Sequence, residues 1–339
     1  MDSLNNKYNL AIVIPCWNCD HYIEGMLNSL LKQTYQSWNA FLIDDGSTDE
    51  TASIIKRYSS LDARIHYKRR NRGPKGAQTC RNIGINEAKL SEYIVFFDAD
   101  DLISSNCLQQ RVQYMKEHPE DDFCIFPAKA FKTDIFDNTP LVYGIKIIDN
   151  TLQAMLNWNL PMVGWTNIYR YSSLIQYNIT WDENLLSMQD SDFNIQSLIS
   201  GMTYEFVEGE IDYFYRITNS GISNKIMSPK HIESHLYLLN KTLNSISRYS
   251  TNYTLQLKNF VVLFLRFFDS NPAVFKELFK IRWIRNHFMF YLKLRLYLVA
   301  GFRGKRILFK KQIDYSSKQT AFWKEQMLLN ANIVNNITT

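Results

Sequence analysis

Cysteine is scarce in this chain. Its five residues are an odd number, so they suggest no complete disulfide framework, and free thiols in a reducing, cytoplasmic setting are expected. Long apolar runs are missing too: the best, Asn259–Phe268, is short and carries Arg266, which excludes a membrane-spanning helix. At the front, Met1–Asn9 is mostly polar and the run Leu10–Pro15 is too short for a signal peptide. Histidine is sparse and scattered. His231 and His235 share a helix face, but Ile232 stands where a zinc-peptidase helix needs Glu, and His235 is expected at the surface. Cys16-x-x-Cys19 has zinc-like spacing with no second pair nearby, so ordinary thiols are expected. There is no Walker-type Gly-rich loop, internal repeat or low-complexity segment. The basic run Lys68–Arg72 reads as a solvated loop, so no nucleic-acid partner is expected.

What is present fits an ordered globular protein. The 339 residues are long enough to bury a real core, and 46% are hydrophobic against 21% charged. The net charge of +5 is modest but unevenly spread, with eleven Lys or Arg between Lys276 and Lys311 against the single acid Glu277. Phe275, Leu278, Phe279, Trp283, Phe288 and Tyr291 interleave with those cations. Two readings remain open: a helix lying on an anionic membrane surface, or a helical core whose Lys and Arg stems reach outward.

The first half alternates short apolar runs with helical periods. Strands are expected at Leu10–Ile14, Ala40–Ile43, Arg64–Tyr67 and Tyr93–Phe97. Helices are expected at His21–Gln33, Thr51–Tyr58, Gly76–Ala88 and Leu108–Lys116, with Ser47 and Glu50 at capping-box spacing. This alternation implies an α/β fold with a mixed, mostly parallel sheet flanked by helices. Beyond Asn150 the pattern loosens to helices at Thr151–Trp158 and Asp190–Ile199, with strands at Trp165–Tyr169 and Ile211–Tyr215. After Met227 everything reads as helix: Pro229–Ser247, Tyr253–Phe268, Pro272–Phe302 and Ser316–Asn330. The expected division is therefore a mixed domain over 1–225 and a helical C-terminal region over 226–339.

Parallel sheets bind ligands beyond the carboxyl ends of their strands. Here those ends carry Pro15-Cys16-Trp17-Asn18, then Asp44-Asp45-Gly46-Ser47, then Asp98-Ala99-Asp100-Asp101. Alternate strand residues share a face, so Asp98 and Asp100 can point the same way. Paired carboxylates call for a cation or donors, and hard divalent ions take oxygen ligands while bridging to diphosphate. Taken alone, the Asp98–Asp101 cluster reads equally well as a turn with capping acids, and Asp44–Ser47 reads better as one. Two such ends in one sheet, in order, favour a ligand.

The segments LAIVIPCWN (Leu10–Asn18), LLKQTYQ (Leu30–Gln36), LIDDGSTDET (Leu42–Thr51), RNIGI (Arg81–Ile85) and YIVFFDADD (Tyr93–Asp101) resemble successive motifs of the family-2 glycosyltransferases of bacterial surface-polysaccharide type. The resemblance implies a GT-A fold, an inverting transfer from a nucleotide-diphospho-sugar, a UDP-sugar by preference, and a Mn²⁺ or Mg²⁺ cofactor. It places Asp45 against the base, Pro15 and Trp17 along base and ribose, Asp98 toward ribose and metal, and Asp100 on the metal. Arg81 and Asn82 match a pair near the donor pocket. Pro74 stands where the family shows Asn, Cys80 where it shows Ala, and Gln189 where it shows Glu. The family's base opens a helix, which matches Asp190, with Asp192 in reserve; an N-capping acid fits the local sequence as well. Arg216, followed by Asn219-Ser220-Gly221, resembles a loop that closes over the diphosphate.

Partners implied are a sugar-nucleotide donor and a glycan or lipid-linked saccharide acceptor, with peripheral membrane contact and a homo-oligomer left open. Phe96–Asp100 also resembles the nucleophile motif of haloacid-dehalogenase phosphohydrolases, and Gln189 keeps a non-catalytic sugar-nucleotide-binding protein open.

Overall fold

In the computed structural model, β1 (Leu10–Cys16) pairs in parallel with β2 (Trp38–Asp44) on one side and β4 (Tyr93–Phe96) on the other, and β2 pairs in parallel with β3 (Ile65–Arg69). The structure describes residues 9–137, 139, 142–146, 148–218, 227–268, 272–296 and 308–309. Because β1 is central, both its faces are buried. Ala11 and Val13 enter one hydrophobic cluster, while Leu10, Ile12 and Ile14 enter the other, as a strand covered by helices on both faces requires. The helices are α1 (Asp20–Leu31), α2 (Thr51–Leu61), α3 (Ala77–Glu87) and α4 (Cys107–Glu117). Gly84 lets α3 approach β1: a Cβ there would lie 2.1 Å from Val13 Cγ1.

Beyond β4 the sheet continues through β9 (Asn167–Arg170), antiparallel to β4, then β6 (Phe123–Ile125) and β10 (Tyr204–Phe206). Strand order thus reverses at β1 and β4, the point where such sheets open a crevice. The sequence shows how. Pairing of β1 with β4 stops at Val13–Phe96, whereas pairing with β2 runs on to Cys16–Asp44. Pro15 has no N–H with which to extend the ladder toward β4.

A second sheet, absent from the sequence-based expectation, joins β5 (Leu102–Ile103), β11 (Tyr213–Arg216), β7 (Ala128–Phe131) and β8 (Val142–Tyr143) in that order. Of its strands only β11 matches an expected one, Ile211–Tyr215; the others, at two to four residues, are too short to show a period. Three further helices, α5 (Thr151–Leu156), α6 (Tyr171–Gln176) and α7 (Gln189–Ile199), complete this half.

The C-terminal helices are α8 (Pro229–Tyr249), α9 (Thr254–Phe268), α10 (Pro272–Glu277) and α11 (Arg282–Asn286), with helix resuming over 288–296. The single helix expected over Pro272–Phe302 is therefore broken. Leu278–Lys280 form a 3-10 turn and Ile281 takes an extended backbone (ψ 119°), which lets Leu278 and Ile284 both bury. These helices extend the same hydrophobic cluster as one face of the main sheet, with Trp158 packing on Phe260 and Phe264 at ring separations of 6.0 and 5.5 Å. His235, expected at the surface, is fully buried, with Nε2 2.8 Å from Ser187 Oγ. On α8 it faces the segment before α7 and the Phe264 ring of α9, 6.2 Å between ring centres. The boundary near 225, the Asn219–Gly221 loop and the helix at Ser316–Asn330 lie outside the described residues. Among the described residues no helix is long and apolar enough to cross a membrane.

Candidate active site

The two acids ending β2 divide their work. Asp44 turns inward, taking the Ser47 N–H at 2.8 Å and the Tyr67 hydroxyl at 3.0 Å. Ser47 does not form the expected capping box; its hydroxyl accepts the Asn18 N–H at 3.0 Å and so ties the β1 end to the β2 end. Asp45 points the other way. It accepts from Arg70 Nε and from the N–H of Gly76 at 3.2 Å, at the start of α3. Its own N–H donates to the Cys16 carbonyl at 2.8 Å, which locks the end of β2 to that of β1. Close by in sequence, Trp17 stands half exposed with the Lys75 ammonium 4.4 Å from its ring centre.

At the end of β4, Asp98 and Asp100 lie in a turn rather than on the strand, because β4 stops at Phe96. The expected reason for their sharing a face therefore fails, yet they sit close enough to interact. Burial first, and then the charge of Asp98, push the Asp100 carboxyl up to about 6. Asp101 is fully buried and its carboxyl is also pushed up, by burial and then by Asp100 and Asp98. Tyr213 on β11 holds this turn in place: its hydroxyl donates to Asp101 Oδ2 at 2.6 Å and accepts the Asp98 N–H at 3.0 Å. Arg216, for which the sequence leaves a phosphate partner and a solvated surface position equally open, donates from Nε to the Asp100 carbonyl at 2.7 Å, with its guanidinium 4.4 Å from the Phe131 ring.

Two carboxylates in partial burial, with negative charge in surplus, fit a hard dication. Mg²⁺-like ions commonly use one or two protein carboxylates and leave the rest of the shell to water and substrate phosphates. A group of three ligand atoms within 4.8 Å occurs instead at His118, Glu120 and Asp121, on two loop residues and a helix end away from these strand termini.

Arg81 joins the two halves of the site. From α3 it donates to Asp98 Oδ1 at 2.7 Å and to Gln189 Oε1 at 3.3 Å, with the Trp181 ring centre 4.4 Å away. Burial works against its charge, but Asp98 and Asp190 hold the guanidinium firmly protonated. Gln189 is fixed in turn by its amide N–H groups, which donate to Gln78 Oε1 (2.8 Å) and the Leu185 carbonyl (3.0 Å). Asp190 sits in the first turn of α7, and its carboxylate accepts the Gly164 N–H at 3.0 Å. A Cβ at position 164 would come within 2.4 Å of that oxygen, so the approach needs glycine. Burial, with Arg81 opposing it, raises the Asp190 carboxyl above the ordinary range. The reserve candidate Asp192 faces elsewhere, with Oδ2 2.7 Å from Lys241 Nζ.

Tyr213, Gly164 and Gln78 also shape the site, without a mark in the local sequence. The hydroxyl in the run Tyr213-Phe214-Tyr215 gives no sign of its role until β11 is laid beside β5, and Gly164 shows its role only in space.

Residues 11–177 match the model of glycosyl transferase family 2. This segment is a family-2 glycosyltransferase domain. A poly(ribitol-phosphate) beta-N-acetylglucosaminyltransferase, TarS of Staphylococcus aureus, is 26% identical over 234 residues, 65% of this chain and 38% of TarS. Glycosyltransferase GlyG of Streptococcus pneumoniae is 34% identical over 113 residues, 33% of this chain and 36% of GlyG. The chain thus spans well under half the length of these two relatives. The crystal structure of TarS residues 1–349 with UDP-GlcNAc superposes at a TM-score of 0.62 and 17% identity, covering 98% of this chain and 92% of that one. A mannosyltransferase from Pyrobaculum calidifontis, in complex with GDP-Man and Mn²⁺, superposes at 0.51 and 14% identity, covering 98% and 88%. The fold is GT-A, with a helical C-terminal region. None of these matches supports the phosphohydrolase or the non-catalytic reading.

Proposed function

We propose that this family-2 chain is an inverting transferase moving a sugar from a UDP-sugar, a hexose or N-acetylhexosamine, to a hydroxyl of a glycan or lipid-linked acceptor in surface-polysaccharide synthesis. The observation that carries it is Arg81, which bridges the strand-end acid Asp98 and the pair Gln189–Asp190. One guanidinium links a donor site to a base. The UDP-GlcNAc bound by TarS supports the choice of nucleotide. The Mn²⁺ in the mannosyltransferase supports a divalent cofactor.

Asp45, at the crevice edge, accepts hydrogen bonds from the base, while Pro15 and Trp17 line base and ribose. Asp98 and Asp100 would hold the cation, which supplies positive charge to the departing diphosphate. Asp190 takes the proton from the acceptor hydroxyl as that oxygen bonds to the anomeric carbon and the bond to diphosphate breaks. The crevice domain ends near residue 225, and a cytoplasmic location fits a sugar-nucleotide donor.

Thermal shift with UDP and UDP-GlcNAc, each with and without Mn²⁺, tests the donor half. Stabilisation that needs both nucleotide and metal is expected. Metal-independent stabilisation would contradict the Asp98 and Asp100 roles, and no response to any nucleotide would sink the proposal.

A further inference from the structure

Among the described residues, one face of the C-terminal helices is uncovered. Of the aromatic and apolar residues interleaved with cations, Phe275, Leu278 and Trp283 are buried, and Phe279 and Tyr291 pack against the core. A packed helical core therefore accounts for the first part of the segment. It does not account for the helix over 288–296. There Phe290 and Leu294 point inward at 4% and 0% exposure, while Phe288, Met289, Leu292 and Leu296 stand exposed at 65%, 68%, 37% and 57%. Positions 288, 292 and 296 are successive i, i+4 neighbours, so the four form one apolar stripe along the solvent side.

Among the described residues, the unpaired charge near that stripe has one sign. Glu277 is paired with Lys280 at 2.6 Å, which leaves Arg282, Arg285, Lys293 and Arg295 without an acidic partner among the described residues. Immediately before the stripe, Asn286 and His287 line a surface pocket of about 360 Å³ together with Arg248, Arg282 and Thr251. Both arginines are exposed, and among the described residues no acid lines the pocket. The first turn of α9, at Thr254, also opens onto it, adding the positive end of a helix dipole.

We propose that this surface docks on an anionic lipid bilayer, with the stripe Phe288, Met289, Leu292 and Leu296 entering the headgroup boundary and the Arg248–Arg282 pocket taking a lipid phosphate. An exposed apolar stripe framed by cations is the composition of an interfacial helix. Cations held near a negatively charged leaflet add attraction that a neutral leaflet does not supply. A second copy of the chain is the poorer occupant, because a self-complementary contact would bring like charges together. Docking does not depend on the transfer reaction, so its failure would leave the catalytic reading untouched.

The test is sedimentation of the full chain at low salt with vesicles of phosphatidylcholine, with and without phosphatidylglycerol. Binding to the anionic vesicles is expected to exceed binding to neutral ones by about tenfold. The pair Phe288→Ser with Leu292→Ser should abolish it at an unchanged melting temperature, since both side chains are exposed. Arg248→Ala with Arg282→Ala should reduce the preference for phosphatidylglycerol. Absence of binding to anionic vesicles overturns the proposal, as does binding that survives the stripe variant. A concentration-dependent dimer that the stripe variant dissolves, with no vesicle binding, assigns the face to a second copy instead.

Discussion

Arg81 Nη2 lies 2.7 Å from Asp98 Oδ1, and this contact couples the end of β4 to the first turn of α7, since the same guanidinium also reaches Gln189. A lysine retains the charge but not the fork, and can serve one of these partners well but not both. Arg81→Lys is therefore expected to fold, to bind UDP-GlcNAc more weakly, and to lose about a hundredfold in kcat/KM through misplacement of reacting groups. Steady-state transfer assays measure this. Undiminished transfer by the variant would remove the bridging role.

Asp190→Asn leaves an oxygen to accept the Gly164 N–H and adds no volume, so the fold and the donor site should persist. General-base catalysis contributes about 10²–10⁴-fold. A fall of that size in kcat, with UDP affinity unchanged in calorimetry, is the expected result. A raised carboxyl also fixes the direction of the pH response: transfer should fall, on acidification, at a pH above that of an ordinary aspartate, because the protonated acid accepts no proton. Equal loss of affinity and rate would make Asp190 a structural residue.

Much of this was readable in the chain itself. β1, β2 and β4 announce themselves because burial on both faces demands unbroken apolar runs, and the acids at Asp45, Asp98 and Asp100 follow from where those runs stop. The carboxylates of Asp98 and Asp100 meet for a reason the strand period does not supply, since both lie in a turn pinned from a different sheet by Tyr213. That sheet is built from strands of two to four residues, of which only β11 is marked in the sequence. Partners 108 positions apart, such as Arg81 and Gln189, leave no mark on local pattern. The break at Ile281 escaped because the apolar period runs straight through it; the need to bury Leu278 and Ile284 together decides the turn.

Asp100 links pH, metal and stability. Its folded carboxyl titrates at about 6, against 3.8 for an ordinary aspartate, so between those values the native state holds the extra proton. Its contribution is therefore least unfavourable at low pH and becomes destabilising as pH rises through 6. Without divalent metal, Asp100→Asn should be more stable than the parent above pH 6 by about 1 kcal/mol, after allowance for solvent screening. The difference should vanish near pH 4. With Mn²⁺ the order should reverse, because the parent gains a ligand the variant lacks. Denaturation series with chelator and with Mn²⁺ check both signs.

Arg111 and Asp212 form the most deeply buried ion pair described, both side chains being inaccessible. Nε and Nη2 of Arg111 bond to the two carboxylate oxygens at 2.7 and 2.6 Å, and Nη1 donates to the Trp165 carbonyl at 3.0 Å. The pair fastens α4 to the residue just before Tyr213, and so to the hydroxyl that holds Asp98 and Asp101. Removing one partner strands the other charge in the core, at a cost of about 3–5 kcal/mol. Asp212→Asn should show that loss in urea denaturation, and Arg111→Met in the same chain should recover part of it. Weaker UDP-GlcNAc binding is also expected in the single variant, because a displaced Tyr213 releases the Asp98 turn. If the single variant loses stability while donor affinity stays intact, the Asp98 turn holds its shape without support from Asp212.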